Sequence, residues 1–302
     1  MNFRVVEIAT EGAKLTLSRG FMVVGTPDGG KGRVPIGDIA ALVVRGYGTT
    51  VSLSLCSKLA ESGIPAVLCG ADQQPASIIW PVRGHFEQGR RMQAQSEATR
   101  PMRKRLWRDI VRVKLENQAA VLEATGGSGE RLRNLSRKVR SGDPDNCEAS
   151  GARYYWPRLM GETFRRDHGG GGVNACLNYG YAILRAGAAR AILCAGLHPS
   201  LSIFHESRGD ALRLADDLME PFRPFIDLVV ARLPEVPSDG PDPELKSRLA
   251  SVLTFDLEGP KGSRPLQSCL DAMAYSLSQV FLGKADTLEL PTSPAPLSLG
   301  VM

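Results

Sequence analysis

The sequence predicts an α+β protein. A small β-rich N-terminal domain spans residues 1–82, and a larger all-α C-terminal domain spans 83–302, with a flexible tail after about residue 290. Three observations predict it. Short β-type runs separated by turn residues fill residues 1–80. Helical periodicity takes over after Pro81. The charge also changes there: residues 81–140 carry fifteen Lys/Arg against six Asp/Glu, while the whole chain has a net charge of only +5.

The elements follow in order. Arg4–Ile8, Lys14–Leu17 and Phe21–Gly25 read as strands, with turns at Glu11-Gly12, Arg19-Gly20 and Asp28-Gly29-Gly30. Ile39–Val44 is a further apolar run. Thr49 or Thr50 caps a helix on which Val51, Leu55 and Leu59 recur at helical spacing, and Gly63 stops it. Pro65–Cys69 and Ala76–Trp80 complete the strands. Pro101 opens a long helix to about Thr125, with Leu106, Ile110 and Val113 on one stripe. A basic helix follows over Glu130–Arg140, then helices over Cys147–Arg166 and Ala175–Ala186, and a short buried run at Ala188–Ala195. Leu197–Phe204 is a loop, and Asp210–Arg232 is helical. Past the proline-rich connection 234–243, two more helices cover Glu244–Leu253 and Pro265–Leu282.

The composition is that of an ordinary globular chain, 43% hydrophobic and 23% charged. No run of about 18 apolar residues is present, so no membrane span is expected. The first residues carry no secretory signal, which makes the cytoplasm the expected location. Six widely spaced cysteines without C-x-x-C read as reduced thiols rather than a disulfide frame. No Walker A, G-x-S-x-G or H-E-x-x-H motif occurs. A zinc site from His168, Cys176, Cys194 and His198 has none of the usual spacings.

The basic segment points to a polyanion, with nucleic acid first, or to a solvated helix face. Arg105, Arg108 and Arg112 share one face of the long helix, and Arg133, Arg137 and Lys138 form a second cluster. Such residues grip a phosphate backbone without reading sequence.

Three acids crowd the helix that follows: Asp216, Asp217 and Glu220 repel unless a cation compensates. Pro221 lacks an N–H, leaves the Asp217 carbonyl unpaired and kinks the helix beside Glu220. His205 is one of only four histidines. Glu148 has two readings: with Asp145 as N-cap it completes a capping box, or it is a functional acid whose small neighbours Ala149, Gly151 and Ala152 let something approach the backbone.

Gly196-Leu-His-Pro-Ser-Leu-Ser-Ile-Phe-His205 and Leu214-Ala-Asp-Asp-Leu-Met-Glu220-Pro-Phe-Arg-Pro224 resemble the CRISPR-associated integrase family, the larger spacer-acquisition subunit. Asn146-Cys-Glu148-Ala-Ser-Gly-Ala-Arg-Tyr-Tyr-Trp156, Val173–Leu184 and Lys114-Leu-Glu-Asn117-Gln118 fit the same family in the same order. The Met-Glu-Pro-Phe-Arg-Pro form is most similar to the branch from type II systems.

The resemblance implies a catalytic helical domain with a metal site of Glu148, His205 and Glu220, which are 57 and 15 residues apart in sequence. Two carboxylates and an imidazole suit Mn²⁺ or Mg²⁺, and Asp217 is a substitute ligand or a supporting partner. The implied reaction inserts short foreign double-stranded DNA into a CRISPR repeat by attack of a 3′-hydroxyl on a phosphodiester. The implied partners are a second copy of the chain through the β-rich domain, the small companion subunit and the type II effector nuclease. Two rival readings stay open, a structure-specific metal-dependent nuclease acting on branched DNA in repair and a non-catalytic DNA-binding scaffold.

Overall fold

The computed structural model describes residues 4–70, 75–79, 86–206, 210–238, 240–259 and 262–291. The expected boundary near residue 82 and the tail after 291 lie outside the described residues.

The N-terminal part holds β1 (Arg4–Ile8), β2 (Lys14–Ser18), β3 (Phe21–Gly25), β4 (Lys31–Pro35), β5 (Ile39–Val44), β6 (Thr50–Val51), α1 (Leu53–Glu61), β7 (Ala66–Cys69) and β8 (Pro75–Ile79). They form two four-stranded sheets, ordered β1-β5-β7-β8 and β4-β3-β2-β6. The pairs β1/β5 and β5/β7 are parallel, and α1 is the crossover between β5 and β7. Its N-cap is Ser52, whose hydroxyl accepts from the Leu55 N–H. A core of Leu15, Met22, Ile39, Leu42, Leu55 and Leu59 joins the sheets and α1. Strand β4 escaped the sequence reading because Lys31-Gly-Arg-Val-Pro35 has almost no apolar alternation; it is an edge strand held by ladder bonds to β3.

The helical part holds α2 (Gln88–Ser96), α3 (Arg100–Ala124), α4 (Glu130–Lys138), α5 (Cys147–Met160), α6 (Val173–Cys194), α7 (Arg213–Met219), α8 (Arg223–Ala231), α9 (Pro243–Ala250) and α10 (Leu266–Phe281). It is not all-α. Strands β9 (Asp256–Gly259) and β10 (Gly262–Pro265) pair antiparallel just before α10, a ribbon too short and polar for periodicity to reveal.

A separate core runs through α3, α6, α7, α8 and α10. Helix α6 is its axis. The expected break between its halves is absent, because Gly187 and its alanine neighbours continue the helix and are buried all round. Ala41 of β5 joins this core, so the first sheet leans on α6. The long helix α3 starts at Thr99, whose hydroxyl accepts from the Met102 N–H, with Pro101 in the first turn. Its buried face runs through Trp107, Ile110, Val111, Lys114, Leu115 and Gln118, while Val113, expected on the stripe, is only half-buried.

Proline decides the shape of the acidic helix. The expected single helix over 210–232 is instead α7, a 3₁₀ turn at Glu220–Phe222, and α8. Asn117 of α3 donates from Nδ2 to the Pro221 carbonyl at 2.6 Å, which ties this turn to the long helix.

Candidate active site

Glu148 sits in the first turn of α5, and not as a cap. Asn146, in the left-handed region at φ 52°, is the N-cap and accepts from the Ala149 N–H. Asp143 takes the Cys147 and Glu148 N–H groups at 2.9 and 3.0 Å. Asp145 is drawn away to Arg140. The capping-box reading is therefore corrected: Asn146 and Asp143 cap the helix, and the Glu148 carboxylate faces Lys114. Gly151, one turn on, explains the run of small residues. A Cβ there would stand 2.3 Å from a Leu115 methyl, so the glycine lets α5 lie close against α3.

Glu148 and Glu220 converge on one cation. The ammonium of Lys114 lies 2.6 Å from Glu148 Oε1 and 2.5 Å from Glu220 Oε2. Arg223 adds a contact of 3.2 Å to Glu220 Oε1. Burial pushes the Glu220 carboxyl up, but Arg223 and Lys114 outweigh it and hold it below its ordinary pKa. Burial likewise pushes the Lys114 ammonium down, and the two glutamates carry it above the usual lysine value. Sequence reasoning placed the motif around Lys114 but gave the lysine no role. The signal was there: it interrupts an otherwise apolar helix face between Val111 and Leu115.

His205 is held from behind. Its Nδ1 is 2.7 Å from Asp217 Oδ1. Asp217, fully buried, also accepts the N–H groups of Ile203, Phe204 and His205 at 2.5, 3.2 and 3.1 Å. The loop's donors and the His205 ring thus occupy the Asp217 carboxylate. Phe204 stacks on buried Trp107 at 4.2 Å between ring centroids, and Trp107 meets the His205 ring edge-on. The hydrogen bond to Asp217 raises the His205 pKa against burial, and the field of Glu220 adds to it. In the neutral ring, Asp217 fixes the proton on Nδ1 and leaves the lone pair on Nε2. Asp216, the third acid of the cluster, turns away to Arg185, which also binds Asp210. Each of the three crowded acids has its own compensating partner.

As they stand, no three His, Cys, Asp or Glu side chains among the described residues are grouped closely enough to hold a metal ion. The structure joins Glu148 to Glu220 through Lys114 and turns His205 onto Asp217. The donor chemistry nonetheless fits a hard divalent cation: two carboxylates already meet on a cation, one buried oxygen, Glu220 Oε2, lacks a well-formed hydrogen bond, and the imidazole keeps a free lone pair. His168, Cys176, Cys194 and His198 do not assemble, and all six cysteines are free thiols.

The basic residues divide by use. Arg105 is exposed on α3. Arg108 pairs with Asp109 at 2.8 Å, and Arg112 donates to the Val139 carbonyl at 3.0 Å. Arg133 binds Glu123 on both oxygens. Arg137 and Lys138 are exposed at the end of α4. A second basic concentration was not visible in the sequence. Arg45, Arg166, Arg185, Arg223 and Lys246 line a cavity of about 750 Å³ between the first sheet, α6 and α7, with Glu7 and Asp216 as opposing acids. No helix among the described residues is long and apolar enough to cross a membrane.

Comparison with known proteins bears on this geometry. The family model described as CRISPR associated protein Cas1 matches residues 6–235. A CRISPR-associated endonuclease Cas1 from Neisseria meningitidis serogroup C (strain 8013) is 35% identical over 285 residues, covering 93% of each chain. Among solved structures, a casposase bound to its integration product superposes with a TM-score of 0.79 at 16% identity, covering 98% of this chain and 95% of that one. A chain of a Cas6–RT–Cas1–Cas2 complex superposes with a TM-score of 0.71 at 15% identity, covering 96% of this chain and 36% of that one. At these identities the two structures share the fold.

Proposed function

This chain belongs to the Cas1 family of CRISPR-associated proteins, and from that membership we propose that it is a metal-dependent DNA integrase and endonuclease that inserts short foreign DNA into a CRISPR array. The observation that carries the proposal is the convergence of Glu148 and Glu220, from distant segments, on the single Lys114 ammonium. A solvated acidic face, as in a non-catalytic scaffold, would not bury and pair its carboxylates in this way.

In this reading, Glu148, Glu220 and His205 would hold Mn²⁺ or Mg²⁺, and the chemistry such an ion would supply is polarisation of the scissile phosphate and a lowered pKa for the attacking 3′-hydroxyl. The chain's own groups do the rest. Asp217 and Trp107 orient His205. Arg223 keeps Glu220 ionised. The hydroxyl oxygen attacks phosphorus at the repeat edge, the bond to the departing 3′-oxygen breaks, and that oxygen takes up a proton. With water as the nucleophile, the same site is an endonuclease.

Arg105, Arg137 and Lys138, exposed on α3 and α4, supply phosphate contacts. The chain is read as a β-rich unit over 1–82 and a helical unit over 83–302, a reading supported by two clusters of buried residues, with Ala41 of β5 in the helical one. The β-rich unit carries Tyr47 and Leu53, which are largely exposed, and it is assigned as the contact of a homodimer. The small companion subunit is assigned from the Cas2 of the similar complex. The effector nuclease is assigned from the likeness to the type II branch. The cytoplasm, where its DNA substrate lies, is the assigned location.

The test is strand transfer. Protein with and without the companion subunit is mixed with a 3′-hydroxyl duplex and a supercoiled repeat-bearing plasmid in Mn²⁺. Covalent joining that needs the ion, the 3′-hydroxyl and Glu220 is expected. Nicking without joining would favour a nuclease, and DNA binding without either reaction would favour a scaffold.

A further inference from the structure

Glu220, buried, and Glu148, half-buried, bring two negative charges to one site, where like charges repel. Lys114 is 8% exposed and its ammonium contacts an oxygen of each glutamate at 2.6 and 2.5 Å. Val111 and Leu115 near it on α3 are buried, and Asn117, one turn further, ties α3 to the turn that carries Glu220. An ammonium is a compact charge on a flexible four-carbon stem, unlike the planar guanidinium of arginine. At Glu220 Oε2 it makes a close charge contact without a well-formed hydrogen bond.

We propose that the Lys114 ammonium is a built-in counter-cation, which fills the place of the divalent ion between Glu148 and Glu220 and gives it up when the ion binds. The inference rests on the metal site assigned above. The oxygens that would ligate the ion are the ones the ammonium touches, so the two cations compete. The ammonium keeps both carboxylates aimed at one point, and the ion binds more weakly than the carboxylates alone would allow.

The test compares Lys114→Met, similar in length and uncharged, with Lys114→Arg and the unaltered protein. Mn²⁺ affinity is read from the free-ion paramagnetic resonance signal, and melting is followed with and without Mn²⁺. Lys114→Met is expected to bind Mn²⁺ about tenfold more tightly or better, as one competing buried cation is removed. It should melt lower without the ion and regain most of the loss with it. Lys114→Arg should bind no more tightly than the unaltered protein.

Should the methionine variant not fold without an ion, the unaltered protein supplies the answer through acetic anhydride labelling and peptide mass analysis. Lys114 is then expected to be protected without Mg²⁺ and acetylated with it. Unchanged or weaker Mn²⁺ binding by folded Lys114→Met, or labelling indifferent to Mg²⁺, overturns the counter-cation. Failure of the unaltered protein to bind Mn²⁺ at all would instead remove the metal site on which the inference rests.

Discussion

Glu220 opens the turn between α7 and α8, Asp227 lies seven residues further on in α8, and both are sealed from solvent. Their neighbours differ. Glu220 meets Lys114 and Arg223, and stays ionised below its ordinary pKa. Asp227 meets two hydroxyls, Tyr181 at 2.5 Å and Tyr155 at 3.1 Å. Burial dominates there and pushes its carboxyl to about 7, only partly offset by the tyrosine hydrogen bonds. A buried acid matched by cations keeps its charge. A buried acid matched by hydroxyls holds its charge less readily, and here it joins α5, α6 and α8.

The largest expected effect breaks or upholds this contrast directly. Glu220→Gln should lower DNA joining roughly a thousandfold or more, the scale of losing several kcal/mol of charge stabilisation. Asp227→Asn should stay within about threefold, because its hydrogen bonds come from tyrosine hydroxyls and not from the groups around Glu220. Rates of joining for the two proteins, each shown to be folded by melting, decide it. An equal collapse of both would mean that Asp227 belongs to the site.

A smaller loss is expected one step from the ligands. Asp217→Asn keeps the shape but weakens its hold on the His205 ring and three loop N–H groups. Activity and Mn²⁺ affinity should fall about 10–100-fold, the usual cost of loosening a ligand's support. His205→Ala should leave little further for Asp217→Asn to remove. Independent, multiplying losses would show that Asp217 acts other than through His205.

Asp227 also gives a pH signature with a definite sign. Its folded pKa is raised from the ordinary 3.8 to about 7. Between those values the folded protein holds a proton that the unfolded chain has released. The stability this provides is complete below the unfolded pKa and is lost as pH rises through the folded one. The unaltered protein should therefore lose stability relative to Asp227→Asn at about 1.4 kcal/mol per pH unit across this window. Urea melts of both proteins at pH 4, 5.5, 7 and 8 measure the difference. A difference that does not change with pH would mean that Asp227 titrates normally and that the contrast with Glu220 is false.

The sequence made the β-then-helical order legible because the two periods differ and the turns are marked by glycine. It did not reveal β4, β9 and β10, whose polar residues are held by ladder bonds rather than by burial. Glu148, His205 and Glu220 could be named only through resemblance, since no local pattern links three distant segments. Pro221 was different: a missing N–H has a local consequence, and the helix does break there. One reading failed because a side-chain pair outbid the cap: Arg140, five residues before Asp145, takes its carboxylate away. Lys114 had no assigned role, because its partners Glu148 and Glu220 come from distant segments.

The smallest expected effect concerns the basic face of α3, where equal spacing conceals unequal roles. Arg105, Arg108 and Arg112 were expected to form one phosphate stripe. Arg112 is half-buried and bonded to the Val139 carbonyl, and Arg108 is engaged by Asp109, whereas Arg105 stands in solvent. A residue used inside the protein should cost stability when removed, and a solvated one should cost DNA affinity. Arg105→Ser should leave the melting midpoint unchanged and reduce the slope of log affinity against log salt by about one. Arg112→Ala should lower stability by about 1 kcal/mol, the net value of a hydrogen bond to a carbonyl, with little change in slope. Fluorescence anisotropy of a labelled duplex across a salt series, paired with urea melts, separates the two. If Arg112 changes the slope as much as Arg105, the guanidinium leaves Val139 when DNA arrives and the stripe is continuous after all.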